Sequence, residues 1–449
     1  MKLGKVKHPV FGEGIVVDTK YRGWYLEVEF PKVGRVLIPR AHVKFVEYVP
    51  GVEARKEVRI KPVISGDFKA RWMIEAFRLG IVPHDYVNDF TFGRDKEIKF
   101  ITEKIEKEDH GVILIEGQYG QGKTHLLDYI GIWAREKGFA VGRAMLDPQD
   151  VALWRPKNVY REIVQSLEVK IGNKILNFRD LMRKAKDIVN FQKPHTFLTP
   201  FFKELKKRGD DELLWNWIEG EEIPRDYLDS KGMKLKVLLN YRPTADLYCY
   251  LLTGLNFIMR QMGIEKFIIL LDEAETIFHH DYREEQRIGS DFLRGLIGVA
   301  RCKEELTKCE REEIKKDKSR LLGKMDSEGY LHSGVNPHPY IYQLPVTIHL
   351  IIALTPVDTW WYQEVVENVP EDCIIRLQNP PKSEYKKLIR KLISIYERAY
   401  EGFKLTDDKR KIVETKYLDY AETLGLRHII KAVTENLDFI RHDTGTTPQ

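Results

Sequence analysis

Apolar positions change their spacing several times along the chain, and each change marks an element. Between residues 1 and 48 they alternate. Trp24-Tyr25-Leu26-Glu27-Val28-Glu29-Phe30 has period two, and Gly34-Arg35-Val36-Leu37-Ile38-Pro39 is a similar run led by a glycine. The stretch from Val6 to Val17 ends in the β-branched run Ile15-Val16-Val17 behind Gly12 and Gly14. Three or four short strands joined by tight turns predict a small all-β barrel. A linker over 49–67 follows, holding Pro50, Gly51, Pro62 and Gly66. From residue 68 the spacing becomes helical. Trp72, Met73, Ala76, Phe77 and Leu79 share one face, so a helix is predicted over 70–79. Ile81-Val82-Pro83 breaks it, and a second helix runs from about Arg94 to Lys107.

Residues 111–146 read as strand, glycine loop, helix and strand, the last stopped by Asp147-Pro148. Such alternation predicts a parallel sheet. Residues 150–263 read as mostly helical, with segments at 158–167, 177–189 and 201–207 and an amphipathic helix over 247–262. Short apolar strands are predicted at 267–271, 347–354 and 373–377, with a helix over 290–305 after the first. Residues 302–345 read as an insertion, first a charged helix and then a Gly-, Pro- and His-rich loop. Residues 382–441 give about three helices. The expected fold class is α/β: a parallel five-stranded sheet with a C-terminal helical lid, preceded by the barrel. The expected domains are the barrel 1–48, a core 68–380 with insertions at about 155–245 and 302–345, and a lid 381–449.

Composition narrows the classes. With 43% hydrophobic and 31% charged residues in 449, the chain has material for real cores and is not wholly disordered. Four cysteines in 449 residues, Cys249, Cys302, Cys309 and Cys373, are sparse, which argues against a disulfide scaffold, and the absence of a CxxC pair argues against a structural zinc. A net charge of +5 permits nucleic acid without requiring it. The longest apolar stretch, near 267–271, is too short to span a bilayer, and no apolar targeting segment opens the sequence. A soluble, cytoplasmic protein is expected.

The strongest chemical signal is Gly117-Gln118-Tyr119-Gly120-Gln121-Gly122-Lys123-Thr124, which fits G-x-x-x-x-G-K-[ST]. Glycines let backbone N–H groups curl round phosphates, and the following helix points its positive end at the same anion. The expected cofactors are ATP and Mg²⁺. Lys123 reaches the β- and γ-phosphates, and the Thr124 hydroxyl serves the metal. A second signal is the apolar strand 267–271 followed by Asp272 and Glu273, at the end of a parallel strand where ligands bind. Asp272 is expected in the metal shell and Glu273 as the base that polarises the attacking water. Thr355 ends the strand before Pro356. It either orients that water or caps the next helix.

The order of these pieces resembles the AAA+ plan within the ASCE class of P-loop ATPases, over about residues 68–441. Phe92-Gly93-Arg94-Asp95-Lys96-Glu97 resembles the Gly-Arg box of ORC-, Cdc6- and STAND-like ATPases. The resemblance implies that Gly93 and Arg94 open a helix beside the adenine and that Ile81, Val82 and Pro83 line the base; a solvated helix cap is the other reading. Leu424-Gly425-Leu426-Arg427 resembles the sensor-2 stretch, one residue shorter, which implies Arg427 near the γ-phosphate; the other reading is a surface arginine. Arg294 and Arg301 lie where AAA+ arginine fingers do, which implies a homo-oligomer; the other reading is solvated arginines.

A closer match is the BREX-system ATP-binding, BrxD-like family. It is carried by Ala76-Phe77-Arg78-Leu79-Gly80-Ile81-Val82-Pro83, the Gly-Arg box, the run from Glu116 through Thr124-His125-Leu126-Leu127, and Met145-Leu146-Asp147-Pro148. This resemblance implies a role in phage defence beside a superfamily 2 helicase, and places His125 with the nucleotide-binding residues. The stretch from His8 to Val16, with Phe30-Pro31-Lys32-Val33-Gly34, resembles the Tudor/SH3-like modules of UvrD/PcrA helicases and the CarD interaction domain. That implies protein docking, while Lys20, Arg22, Lys32, Arg35, Arg40 and Lys44 suit phosphate, and a structural cap is a third reading. The expected function is an ATPase coupled to a protein or DNA partner. The alternatives are a slow nucleotide-gated adaptor working through the N-terminal barrel, and an ATP-assembled DNA clamp or helicase loader.

Overall fold

The computed structural model describes the chain except residues 1–3, 9–11, 21–24, 32–33, 40–43, 49–66, 81, 83, 240–243, 280–282, 310–323, 326–329, 334–336 and 444–449. Most of the expected linker, together with Ile81 and Pro83, lies outside the described residues. Two compact units divide the chain, Met1–Ser65 and Gly66–Gln449.

The first unit is an antiparallel sheet of five strands: β1 (Gly4–His8), β2 (Gly12–Lys20), β3 (Tyr25–Phe30), β4 (Gly34–Pro39) and β5 (Lys44–Tyr48), in the order β4-β3-β2-β1-β5. That is one or two strands more than expected. The apparent single run from Val6 to Val17 is a hairpin, β1 against β2, and Lys44-Phe45-Val46-Glu47-Tyr48 is a further strand. Alternation puts Val6, Val16, Leu26, Val28 and Phe30 on a buried face. Gly14 lies under Phe30: a Cβ there would stand 2.6 Å from the Phe30 ring.

The second unit is α/β, built on a mixed sheet of seven strands. They are β6 (Gly111–Glu116), β7 (Ala140–Met145), β8 (Glu168–Ile171), β9 (Lys174–Asn177), β10 (Phe267–Asp272), β13 (Ile348–Leu354) and β14 (Ile374–Arg376), in the order β14-β6-β13-β10-β7-β8-β9. Two-residue strands β11 (Lys324–Met325) and β12 (Leu331–His332) pair separately. From β14 to β7 all neighbours are parallel, while β8 and β9 add as antiparallel strands. The expected five-stranded parallel sheet is therefore widened into a mixed one. Its extra hairpin turns at Gly172, whose φ of +59° suits glycine.

Central strands read as continuous apolar runs because both faces are covered. On one face Ile113, Ile115, Ile268, Leu270 and Ile351 pack with Leu126, Leu127 and Ile130 of the Lys123–Glu136 helix. On the other, Leu114, Ile269, Leu271 and Ile352 join a larger core with the Pro156–Gln165, Ala245–Gln261 and Arg283–Ala300 helices. The Ala245–Gln261 helix, expected to be amphipathic, is buried on every side from Ala245 to Met259. The helix expected over 290–305 runs instead as Arg283–Ala300, stopping before Cys302 at φ +53°. Of the charged helix expected to follow, residues 310–323 lie outside the described residues, and the described part before them holds a 3₁₀ turn, Glu304–Thr307.

The lid holds the Lys382–Ala399 helix and the Asp407–Asp443 helix, the latter broken at Gly425 with φ +67°. The Phe68–Arg78 helix packs into the same core through Met73, Ile74 and Phe77, against Leu388, Ile389, Leu392 and Ile429. Arg78 adds a half-buried ion pair to Asp438 at 2.8 Å.

Candidate functional site

The phosphate loop leaves β6 after Glu116, a buried carboxylate. It accepts from Tyr362 Oη at 2.5 Å and pairs with Arg376 Nε at 3.1 Å, which fixes the loop's base. Gly120 and Gly122 have φ of +82° and +87°, in the left-handed region that glycine adopts without strain. Gly122 caps the helix that begins at Lys123, so free N–H groups open toward the loop. Gln121 folds back, its Oε1 accepting from Gln118 N at 2.6 Å.

Strand order assembles the chemistry. β13 lies between β6 and β10, so the segments leaving the C-terminal ends of these three strands converge. Lys123 is nearly buried, and its Nζ donates to Gly117 O at 2.9 Å and to Thr355 Oγ1 at 2.8 Å. Thr355 in turn donates to Glu275, whose Oε1 lies 3.9 Å from the ammonium. Thr355 thus reaches the lysine of the phosphate loop, beyond any helix-capping role. Glu275 was missed in the sequence. Its signal was the last carboxylate of Asp272-Glu273-Ala274-Glu275, whose significance depends on which strands are neighbours.

Asp272 is fully buried. Its Oδ2 accepts from Arg143 Nη2 at 2.8 Å, and its Oδ1 from Glu273 N at 3.1 Å. Arg143 also pairs with Asp128 on the loop's helix and so ties β7, β10 and that helix together. Glu273 sits at φ +59°, a strained conformation for a side-chain-bearing residue. Burial raises its pKa, and the nearby Glu275 and Asp272 carboxylates raise it further. Thr124 is half-buried on the first helical turn.

The Gly-Arg box is a clamp, and the solvated-cap reading is set aside. Arg94 is buried and donates to Gln121 O at 2.8 Å, Gln378 O at 2.9 Å and Glu97 Oε1 at 3.0 Å. It therefore binds the loop's backbone to the strand-to-lid junction. Gly93, at φ +64°, leaves room for Pro380, which a Cβ would meet at 2.9 Å. Of the three expected base-lining residues, Val82 is half-buried and the other two lie outside the described residues. His125 meets the segment before the Gly-Arg box: its Nε2 lies 2.8 Å from Thr91 Oγ1, which already donates to Val87 O, so the imidazole donates. Burial pushes its pKa down to about 4.

The lid reaches the loop through Arg427, whose Nη1 donates to Tyr119 Oη at 2.6 Å with the guanidinium 5.8 Å from the ring centre. Arg294 is held elsewhere, donating to Asp291 at 3.2 Å and lying 5.1 Å from the Tyr330 ring. Arg301 donates to Asn368 O at 3.1 Å.

These groups fit a nucleoside triphosphate: a helix N-terminus, left-handed glycines and one buried ammonium form an anion cradle. Among the described residues no group of three or more His, Cys, Asp or Glu side chains is placed to hold a metal. Magnesium in phosphate sites takes only one or two protein ligands, and the Thr124 hydroxyl and Asp272 carboxylate are oxygen donors of the right kind.

Residues 67–182 match the sequence model of a family described as BREX system ATP-binding protein BrxC/D. The match contains residues 76–83, the Gly-Arg box, the phosphate loop and residues 145–148, on which the BrxD-like resemblance rests. No curated protein matches the chain. Solved structures give distant likenesses. A DNA replication initiation factor aligns at TM-score 0.34 and 10% identity, over 80% of this chain and 64% of its own, so the chain spans under two thirds of it. Domain III of the Thermotoga maritima replication initiation protein DnaA aligns at TM-score 0.31 and 11% identity, over 86% of this chain and 94% of its own. The Aeropyrum pernix ORC1 protein, solved in complex with DNA, aligns at TM-score 0.34 and 12% identity, over 82% and 64%. No described helix is long and apolar enough to cross a membrane.

Proposed function

We propose that this chain binds Mg²⁺-ATP, hydrolyses it, and uses the turnover to change shape against a protein or DNA partner in phage defence. The observation that carries this reading is the convergence of Lys123, Thr355 and the Asp272–Glu275 run beside a phosphate loop, within a chain whose loop segment matches the ATP-binding family. Lys123 and the loop amides would bind and orient the phosphates. Thr124 and Asp272 would hold magnesium, which when bound neutralises charge on the transferring phosphoryl group. Glu273, with its raised pKa, would accept the proton of the attacking water. Arg94 and Arg427 would hold loop and lid in register.

A second reading, a slow nucleotide-gated adaptor, is favoured by one observation. Arg294 is engaged with Asp291 and Tyr330, and Arg427 with Tyr119. A further cation at the γ-phosphate would then come from another molecule, and turnover by the lone chain would be slow.

Steady-state ATP hydrolysis by the wild type, Lys123→Ala and Glu273→Gln, with and without duplex or single-stranded DNA, separates the readings. Glu273→Gln should bind ATP yet lose roughly 10²–10⁴ in rate, the usual worth of general base catalysis. Undiminished turnover would remove Glu273 from that role. Tight binding without turnover, lost in Lys123→Ala, would select the adaptor.

A further inference from the structure

We propose that Glu275 is a positioning residue that stands in for the γ-phosphate beside Lys123 when the site is empty and is displaced when ATP arrives, so that it sets the preference between ATP and ADP. The proposal rests on the phosphate-site reading above.

Direction in the hydrogen-bond chain supports it. A threonine hydroxyl has one proton. Lys123 donates to Thr355, and Thr355 spends its proton on Glu275. The ammonium thus has Gly117 O and Thr355 Oγ1 as partners, and an anion 3.9 Å away. A γ-phosphate bound to Lys123 would occupy that third side. Glu275 is built for an unequal role there. Its side chain is only 14% exposed, and its Oε2 is buried with no hydrogen-bond partner. A buried carboxylate oxygen left unpaired is costly, so the charge depends on the Thr355 hydroxyl and the nearby Lys123 ammonium for compensation. When the γ-phosphate takes Lys123, two anions compete for one cation at close range, and the carboxylate must move or be repelled. ADP brings no γ-phosphate, so even with Lys123 turned to the β-phosphate no second anion enters the side of the ammonium that faces Glu275. The carboxylate therefore opposes ATP specifically.

The test is equilibrium binding with Mg²⁺, in which ADP and the β,γ-methylene analogue of ATP compete against a fluorescent ADP. Glu275→Gln keeps an acceptor for Thr355 and removes only the charge. The analogue should bind roughly fivefold or more tightly to it, with ADP affinity unchanged within a factor of about two. Glu275→Ala should shift the ratio in the same direction, and unchanged thermal melting would show both variants folded. Parallel changes for both nucleotides, or no change for either, would overturn the proposal while leaving the phosphate site standing. If the wild type binds neither nucleotide, or Lys123→Ala binds both as well as the wild type does, the phosphate-site reading falls and this proposal with it.

Discussion

Gly80→Ala should damage the lid's seat on the phosphate loop, and its cost can be worked from two contacts. Gly80 has φ of +68°, and an added Cβ would stand 2.7 Å from Arg427 Cγ and 2.9 Å from Arg427 O. The left-handed conformation costs alanine about 1–2 kcal/mol. The side-chain carbon can swing away, but the carbonyl belongs to a helix, so backbone must shift, at about 1–3 kcal/mol as for other overpacked sites. Gly402→Ala is the matched control. It has φ of +85° with nothing within 4 Å, so it bears the conformational cost alone. Urea unfolding should place Gly80→Ala about 1–3 kcal/mol below Gly402→Ala. Nucleotide affinity should fall in the first variant only, because Arg427 also holds Tyr119. Equal destabilisation of the two variants would refute the reasoning, since the Arg427 contact would then cost nothing.

Two other predictions concern buried charge. Arg143→Ala strands Asp272, fully buried, and Asp128; the expected loss is about 3–5 kcal/mol by urea unfolding, and a loss under about 1 kcal/mol would show that the guanidinium does not compensate Asp272. Burial pushes His195 and His349 down to about 3, so both are neutral in the fold and protonate in the unfolded chain below its pKa of about 6.5. Their contribution is complete above that pH and lost as pH falls toward 3, each costing about 2 kcal/mol by pH 5. His195→Gln should lessen the drop in unfolding midpoint between pH 7.5 and 5, and an equal drop would count against the burial argument.

The phosphate loop and the strands around it were legible because their signals are local: a fixed spacing, and apolar runs of strand length. The lid was legible from helical periodicity: the non-helical φ at Gly425 divides Asp407–Asp443 in two, which with Lys382–Ala399 gives the three helices expected. What escaped depends on tertiary neighbours. Glu275 meets Thr355 and comes near Lys123 because β13 lies between β6 and β10, a strand order no spacing reveals. Arg94 reads as a first-turn residue until Gln121 O and Gln378 O close on it. The Ala245–Gln261 helix shows an amphipathic pattern, yet the insertions bury its polar side, with Asp246 accepting from the Ser333 and His338 amides. The β8–β9 hairpin did carry a local signal, alternation around Gly172-Asn173, but a helical pattern on either side masked it.

The neighbours of β6 also set a timetable. Both strands that flank it, β13 and β14, come from late in the chain, β13 starting roughly 230 residues after β6 ends. At the ribosome's pace of about 5–20 residues per second, the strand that carries the phosphate loop waits on the order of 10–50 seconds with both of its edges open. During that interval the nascent chain cannot close its own nucleotide site. A chaperone or a premature ligand would meet an unpaired apolar ribbon, Val112-Ile113-Leu114-Ile115, instead of a finished loop.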